Sequence, residues 1–139
     1  MSERTVDAAG TSIFVRESGS GSPVVLLHGF PETGKCWDKV AASLSAEHRV
    51  LAPDLPGYGR SARPISYDSA TLANTIAAFM EAADAPKATV VGHDWGGGVA
   101  FRLALGHPDK VERLAVINSP FRKLDLRRGW HMLFFNLPA

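Results

Sequence analysis

The stretch that decides the fold is Val90–Val99, which reads Val-Val-Gly-His-Asp-Trp-Gly-Gly-Gly-Val. It begins with β-branched residues that extend an apolar run from Ala88, and such a run predicts a buried strand. The glycines around Asp94 predict a sharp turn, and the small residues of Gly97–Gly106 predict a helix. We therefore expect a strand, a tight turn and a helix in immediate succession, with Asp94 at the carboxyl end of the strand.

Two glycines flank Asp94 in the pattern Gly-x-Asp-x-Gly. We expect side chains at Gly92 and Gly96 to collide with the neighbouring strand and helix, because the turn is so tight. The backbone of Asp94 should then have a strained or positive φ, which lifts the carboxylate clear of the sheet. The N-terminus of the following helix would stabilise its negative charge. This is the pattern of a nucleophile elbow with Asp in place of Ser, and an Asp that merely caps the helix is the alternative interpretation.

Outside this stretch, predicted strands alternate with predicted helices. A glycine turn at Gly10 separates two β-rich runs, which predicts a hairpin. The further strands are Val24–Leu27, Val50–Ala52 and Val111–Ile117, and the further helices cover 36–46 and Ser69–Ala83. This alternation predicts an α/β fold, namely a doubly wound, mostly parallel sheet with helices on both faces.

The two helices outside the first stretch carry finer expectations. In the helix at 36–46, the spacing of the apolar residues predicts one buried face, formed by Trp37, Val40, Ala41 and Leu44. The second helix is expected to begin after an N-cap at Asp68 or Ser69, because short polar side chains accept hydrogen bonds from the first free N–H groups of a helix. The burial of each of these side chains and the hydrogen bonds at the N-cap test the two predictions.

Length and composition limit the classes of protein that the chain can form. The 139 residues are 45% apolar and 21% charged, which is typical of one globular domain and excludes a disordered chain. The 15 basic and 14 acidic residues give a net charge of +1, so the basic field that nucleic-acid binding requires is missing. No apolar run approaches the roughly 18 residues that span a bilayer. We therefore expect neither nucleic acid nor a membrane as a partner.

The cysteine content and the N-terminus favour a reducing compartment. Cys36 is alone, so an internal disulfide is impossible, and it is interpreted as a small apolar residue in a helix. The residues Met1–Thr5 contain no apolar segment of a secretory signal. No cluster has the spacing of metal ligands, and no glycine-rich loop fits a phosphate. We expect a cytoplasmic protein that needs no cofactor and no metal.

Two further motifs follow predicted strands. His28–Pro31, which reads His-Gly-Phe-Pro, comes directly after Val24–Leu27, and Asp54–Ser61 comes after Val50–Ala52. Taken singly, the first could be a simple turn and the second a surface loop. The carboxyl ends of parallel strands meet at one edge of a sheet, where open α/β sheets have their sites. We therefore expect both motifs to lie beside Asp94.

These three motifs resemble those of the α/β-hydrolase fold family, and within it the branch of epoxide hydrolases and haloalkane dehalogenases. His28–Pro31 is similar to the oxyanion-hole motif of that branch, Gly92–Gly97 to its nucleophile motif and Asp54–Ser61 to its conserved loop. The resemblance covers essentially the whole chain, but only the first half of a family member. It implies an α/β-hydrolase fold truncated before the cap and the last strands, with 1–120 as the N-terminal part of the core and 121–139 as the start of the cap segment.

The resemblance implies a role for each motif residue. Asp94 would attack a substrate carbon and form an alkyl-enzyme ester, which water then hydrolyses. The backbone N–H groups of Phe30 and Trp95 would form the oxyanion hole. His28 would shape the loop that continues through Gly29–Pro31, and it would not act as the base. The acid and the catalytic histidine of the family have no visible counterpart in this sequence.

Within the branch, the resemblance favours an epoxide hydrolase acting on a small-molecule epoxide. Phe30 stands where haloalkane dehalogenases tend to have Asn, and the segment Ile117–Phe121 is similar to the entry into an epoxide hydrolase cap. Trp95 does not separate the two activities, because dehalogenases use a Trp after the nucleophile to bind the leaving halide and epoxide hydrolases also carry one. A haloalkane or haloacid dehalogenase acting on an alkyl halide therefore stays open, as does a non-catalytic fragment or a binding module.

Further features bear on the base and on partners. His93 precedes Asp94, but neighbours at a strand-to-turn junction point in different directions, so we expect a structural role for its ring. Val111–Ile117 would normally be covered by a further strand, and Trp130–Leu137 is too aromatic for a solvated tail. We therefore expect a homo-oligomer, or pairing with a missing C-terminal half.

Overall fold

The structure is a computed structural model, and it describes residues 1–119. The expected start of a cap segment at 121–139, with its aromatic part Trp130–Leu137, lies outside the described residues. The strands are β1 (Ser2–Ala8), β2 (Thr11–Ser18), β3 (Ser22–Leu27), β4 (His48–Pro53), β5 (Ala88–His93) and β6 (Val111–Ile117). The helices are α1 (Asp38–Leu44), α2 (Ser69–Ala82) and α3 (Trp95–Gly106), and a short 3₁₀ helix, Gly34–Trp37, precedes α1.

The strands form one six-stranded sheet in the order β1-β2-β4-β3-β5-β6. Strand β3 pairs in parallel with β4 and β5, and β5 pairs in parallel with β6. The N-terminal hairpin of β1 and β2 joins the sheet in the antiparallel direction. The predicted hairpin and mostly parallel sheet are therefore confirmed, and the carboxyl ends of β3, β4 and β5 meet at one edge.

Alternate residues of β3 enter two different cores. Val25 and Leu27 are fully buried in the core that the sheet forms with α2 and α3. Val24 and Leu26 are buried on the opposite face, in the core that includes Ala41 of α1. Burying a side chain of this size contributes about 1.5–3 kcal/mol, which explains why β3 is apolar at every position from residue 24 to 27. Helices on both faces confirm the doubly wound architecture.

Side chains fix both ends of α2. Asp68 is its N-cap and accepts hydrogen bonds from the backbone N–H groups two and three residues further on, as predicted. At the other end, the guanidinium of Arg49 on β4 donates to the carbonyl oxygens of Ala83 at 2.7 Å and Asp84 at 2.9 Å. Carbonyls at a helix C-terminus lack partners within the helix, so a cation there satisfies them and complements the helix dipole.

The apolar face predicted in the first helical region is only partly right. Trp37 and Ala41 are buried, and Leu44 packs against the same core. Val40 is 43% exposed, so its expected place on this face is wrong. Trp37 belongs to the 3₁₀ helix, which has about three residues per turn, and counting 3.6 residues per turn from it misplaces the residues of α1.

Strand β6 lies at one edge of the sheet that residues 1–119 form. Its Leu114 is 38% exposed and its Ile117 is 43% exposed. Association through this edge stays a prediction. In the part of the chain that the structure describes, no helix combines the length and the apolar character needed to cross a membrane.

Candidate active site

Asp94 is the single residue between β5 and α3. Its backbone has a φ of 50° and a ψ of −117°, so the positive φ predicted from the flanking glycines is confirmed. Holding a non-glycine residue in such a sparsely populated region costs on the order of 1–3 kcal/mol, and strain of this kind clusters at functional sites. The side chain makes no capping hydrogen bond to α3. Asp94 therefore occupies the N-cap position of α3, but its carboxylate does not cap the helix.

Close backbone contacts require the glycines that flank Asp94. A Cβ at Gly92 would lie 2.7 Å from the Cα of Gly97, and a Cβ at Gly96 would lie 2.6 Å from the carbonyl carbon of Leu27. Both distances are far below van der Waals contact, so the predicted collisions with the helix and the neighbouring strand are confirmed. A Cβ at Gly98 would meet nothing within 4 Å, so close packing does not require glycine at this position.

The loop after β3 lies directly against the carboxylate of Asp94. The backbone N–H of Phe30 donates to Oδ1 of Asp94 over 3.0 Å. A Cβ at Gly29 would come within 2.6 Å of the Asp94 Cβ, which shows how closely the loop approaches. The Phe30–Pro31 peptide bond, at the end of the loop, is cis. The structure therefore brings the predicted loop and the predicted nucleophile together.

Hydrogen bonds to the carbonyl of Gly29 fix the direction of the Phe30 N–H. That carbonyl oxygen lies 2.8 Å from Nδ1 of His28 and accepts from the backbone N–H of Glu32 at 3.0 Å. The carbonyl of Gly29 and the N–H of Phe30 belong to one trans peptide group, in which they point in opposite directions. Holding the oxygen on one side therefore aims the N–H at Asp94 on the other.

His28 is fully buried behind this loop. Its Nε2 accepts a hydrogen bond from the backbone N–H of Leu55 at 2.8 Å, so Nδ1 carries the proton and donates to the carbonyl of Gly29. Burial lowers the pKa of His28, and the nearby charge of Asp54 opposes that effect only in part. A neutral ring with both nitrogens engaged fits the expected shaping of the loop and leaves no nitrogen free to accept a proton from water.

The third motif supports the site from behind. The carboxylate of Asp54 is buried and accepts from the backbone N–H groups of Gly34 at 2.8 Å and Arg60 at 2.9 Å. Ser61 donates to the carbonyl of Asp54 at 2.6 Å and accepts from the backbone N–H of Phe14 on β2 at 2.9 Å. These bonds fix the loop that begins at Asp54. The backbone N–H of the next residue, Leu55, donates to Nε2 of His28 and so orients its ring. Asp54–Ser61 therefore positions the site through the N–H of Leu55 and the ring of His28.

Glu32 belongs to the site although it was not among the predicted site residues. Its Oε2 accepts from the backbone N–H of Gly29 at 3.2 Å and lies 3.3 Å from Nδ1 of His93. Partial burial, together with the charge of Glu32 and a hydrogen bond to it, raises the pKa of the Cys36 thiol to about 12. Cys36 is exposed and lies in the 3₁₀ helix, so its interpretation as an apolar helix residue is wrong. The sequence contained one signal for this contact, namely that Glu32 lies three residues after Gly29 in the predicted loop.

The other histidines of the described residues have structural partners. His48 Nδ1 lies 2.9 Å from a serine hydroxyl on β3, and His107 Nε2 lies 2.9 Å from an asparagine carbonyl on α2. His93 faces Glu32, in agreement with the structural role expected for its ring. Within residues 1–119, no group of three or more His, Cys, Asp and Glu side chains has an arrangement that could hold a metal ion.

Three aromatic residues, Phe30, Tyr58 and Trp95, belong to the motifs that meet at this edge of the sheet. Phe30 is 46% exposed and Trp95 is 41% exposed. Tyr58 packs edge-on against His28 and Phe30, with ring centroids 5.4 and 6.3 Å apart. Burial, the neighbouring Tyr67 and the charge of Asp94 raise the pKa of Tyr58, so its hydroxyl stays protonated.

Trp95 contributes a backbone donor as well as its ring. It is the first residue of α3, and the first N–H groups of a helix have no carbonyl partner within the helix. The positive end of the helix dipole lies at the same place. The Phe30 N–H and the positive end of the α3 dipole therefore both favour negative charge on the carboxylate of Asp94.

Comparison with known proteins gives consistent relatives. The family described as alpha/beta hydrolase fold matches residues 22–138. A fluoroacetate dehalogenase of Burkholderia sp is 35% identical over 150 residues, which is 98% of this chain and 49% of that protein. A soluble epoxide hydrolase of Corynebacterium sp. (strain C12) is 41% identical over 102 residues, which is 73% of this chain and 36% of that protein.

Solved structures show the same likeness. The crystal structure of epoxide hydrolase VrEH1 from Vigna radiata matches with a TM-score of 0.82 and 33% identity. The match covers 97% of this chain and 46% of that one. This chain thus spans about half the length, or less, of the relatives it matches.

Proposed function

Because this chain belongs to the alpha/beta hydrolase fold family, we propose that it carries the nucleophile and the oxyanion-hole loop of an epoxide hydrolase. Asp94 is the nucleophile in this proposal. The observation that supports it most is the 3.0 Å hydrogen bond from the Phe30 N–H to Oδ1 of a carboxylate that does not cap its own helix. Oδ1 is held by the loop, which leaves Oδ2 to attack.

The first step forms an ester bond to Asp94. Oδ2 attacks an epoxide carbon, the C–O bond of the ring breaks, and its electron pair stays on the epoxide oxygen, which then takes up a proton. A carboxylate attacks as an anion and needs no base for this step. Oδ1 becomes the carbonyl oxygen of the ester and already lies beside the Phe30 N–H.

The second step hydrolyses the ester. Water adds to the carbonyl carbon, and negative charge develops on Oδ1, where the N–H groups of Phe30 and Trp95 stabilise it. The water loses a proton to a general base, usually a histidine braced by a carboxylate. The bond between the carboxyl carbon and Oδ2 then breaks, so the diol leaves with Oδ2 and the oxygen of water restores the carboxylate of Asp94. His28 and His93 are engaged elsewhere, so the proposal assigns the base to another part of the protein.

A dehalogenase is the second candidate. The relative that matches 98% of this chain is named a fluoroacetate dehalogenase, and the same ester forms when a carboxylate displaces a halide. The indole of Trp95, beside the nucleophile, would then donate to the leaving halide. The exposed aromatic side chains of Phe30 and Trp95 suit an apolar epoxide or alkyl halide better than the anion fluoroacetate.

The proposal also covers the division of the chain into parts, the partner of β6 and the location of the protein. Residues 1–120 form the N-terminal part of the hydrolase core in this proposal, and 121–139 open the cap segment. The edge of β6 pairs with a further strand of the hydrolase or with a second copy of the chain. A reducing, cytoplasmic location is supported by the single cysteine, Cys36.

Trapping of the alkyl-enzyme tests the function. The protein is incubated separately with styrene oxide and with fluoroacetate, and the adducts are mapped by mass spectrometry. We expect one adduct on the peptide that contains Asp94, its loss in Asp94→Asn and its retention in Asp109→Asn, an exposed aspartate of matched chemistry. Labelling from styrene oxide supports the epoxide hydrolase, and labelling from fluoroacetate alone supports the dehalogenase. Equal labelling of Asp94→Asn would contradict both.

A further inference from the structure

Glu32 contacts both halves of the site. Its Oε2 accepts from the N–H of Gly29 in the oxyanion loop at 3.2 Å and lies 3.3 Å from Nδ1 of His93, the last residue of β5. Glu32 and His93 are 61 positions apart in the chain. The side chain therefore bridges two segments that the fold brings together but that share no backbone hydrogen bond at this point.

The backbone of Glu32 acts on the same glycine. Its N–H donates to the carbonyl oxygen of Gly29 at 3.0 Å, while its carboxylate accepts from the Gly29 N–H. Glu32 thus engages both polar groups of one residue. The peptide group that follows Gly29 supplies the N–H of Phe30, so the orientation of that N–H depends on both contacts.

Among the described residues, the Glu32 carboxylate contacts hydrogen-bond donors and forms no ion pair with a lysine or an arginine. The described groups that face it are the Gly29 N–H, the ring of His93 and the thiol of Cys36, and its charge also acts on His28. Hydrogen bonds to a charged acceptor are roughly twice as strong as neutral ones. Removing the charge while keeping the shape should therefore loosen the loop without opening a cavity.

We infer that Glu32 is a positioning residue that fixes the oxyanion loop to the strand carrying Asp94, through Gly29 on one side and His93 on the other. The inference rests on the proposed function, because it assumes that the Phe30 N–H stabilises charge in the reaction. Glu32 itself touches no reacting atom. Its effect is on the alignment of the Phe30 N–H with Oδ1 of Asp94.

This role predicts which chemical step a substitution of Glu32 should slow most. Full negative charge appears on Oδ1 only while the ester is being hydrolysed, so a misaligned Phe30 N–H should slow that step more than ester formation. Removing an oxyanion donor outright costs about 10²–10³-fold, and tilting one should cost less, on the order of tenfold. Substrate affinity should stay unchanged, because Glu32 does not contact the substrate.

The test compares Glu32→Gln with Glu112→Gln, an exposed glutamate on β6. In the native protein that carries this sequence, with styrene oxide as the probe, we expect Glu32→Gln to slow ester hydrolysis about tenfold and ester formation less, with the dissociation constant of the substrate unchanged and KM lowered together with kcat. We also expect the amide proton signal of Gly29 to move upfield and the thiol of Cys36 to titrate at lower pH. Glu112→Gln should change none of these.

Two measurements keep the inference separate from the proposed function. The Gly29 amide signal and the Cys36 titration report on the Glu32 contacts without any substrate, so they remain decisive if Asp94→Asn shows that the proposed function is wrong. An unchanged Gly29 signal in Glu32→Gln would overturn the inference. Equal slowing of ester formation and ester hydrolysis in Glu32→Gln would also overturn the inference, because it would indicate a general destabilisation of the protein.

Discussion

Gly29→Ala tests the contact between the oxyanion loop and Asp94 most directly. The new Cβ would lie 2.6 Å from the Asp94 Cβ and 2.9 Å from its Oδ1. Carbon atoms in favourable contact are about 3.5–4.0 Å apart, so the carboxylate must retreat by about 1 Å. The hydrogen bond from the Phe30 N–H is 3.0 Å long, and lengthening it by this amount breaks it.

The expected loss combines misplacement and overpacking. A displacement of 1 Å in a reacting group costs up to about 10²-fold in rate. An extra methyl group in a tightly packed place destabilises a protein by about 1–3 kcal/mol. We therefore expect alkylation of Asp94 to slow about 100-fold, measured by mass spectrometry as the rate of adduct formation, and the urea midpoint of unfolding to fall.

Gly98→Ala is the matched control, because it adds the same methyl group where nothing lies within 4 Å. Gly98 is inside α3, where alanine is favoured over glycine by about 1 kcal/mol, so this variant should be more stable than the parent and equally reactive. If Gly29→Ala reacts as fast as Gly98→Ala and is equally stable, the argument from close contact is wrong.

Three further predictions address other parts of the molecule. Cys36, with a pKa near 12, should react with iodoacetamide near pH 8 about 10³-fold more slowly than an ordinary thiol of pKa about 8.5, and Glu32→Gln should speed the reaction; labelling at the ordinary rate would contradict the assigned contact. Hydrogen bonds from Thr71 hold the pKa of Asp68 below its ordinary value, so the stability that Asp68 contributes is complete above about pH 4 and is lost as the pH falls further. Urea unfolding should therefore show Asp68→Ala less stable than the parent near pH 7, with a gap that narrows below pH 4; a gap of constant size would refute the capping role. The exposed edge of β6 should make the isolated chain associate, and placing a lysine at Leu114 should shift sedimentation towards the monomer; a parent chain that sediments as a monomer at all concentrations would exclude this interface.

Local patterns were sufficient to predict the fold. The apolar run of β3 predicted a strand covered on both faces, and Gly92 and Gly96 predicted the strained turn, because each of these signals depends on a few adjacent residues. The start of α3 was placed at Gly97, whereas the helix begins at Trp95. Glycines lower helix propensity, and the close packing of Gly96 on β3 offsets that loss in a way that the sequence does not display.

Contacts between distant segments could not be predicted in the same way. The pairing of Glu32 with His93 depends on the register between β3 and β5, which brings Leu27 opposite Gly92. No periodicity within either segment encodes that register. The exposure of Val40 was missed for a different reason, since a 3₁₀ turn changes the angular position of every residue that follows it.

Phe30 divides two tasks between its main chain and its side chain. Its N–H is aimed at Asp94 by bonds to the neighbouring Gly29 carbonyl, which do not depend on the identity of the side chain. Its ring is 46% exposed. Under the proposed function, a substitution at Phe30 can therefore change the apolar surface of the loop while the N–H that donates to Asp94 is kept.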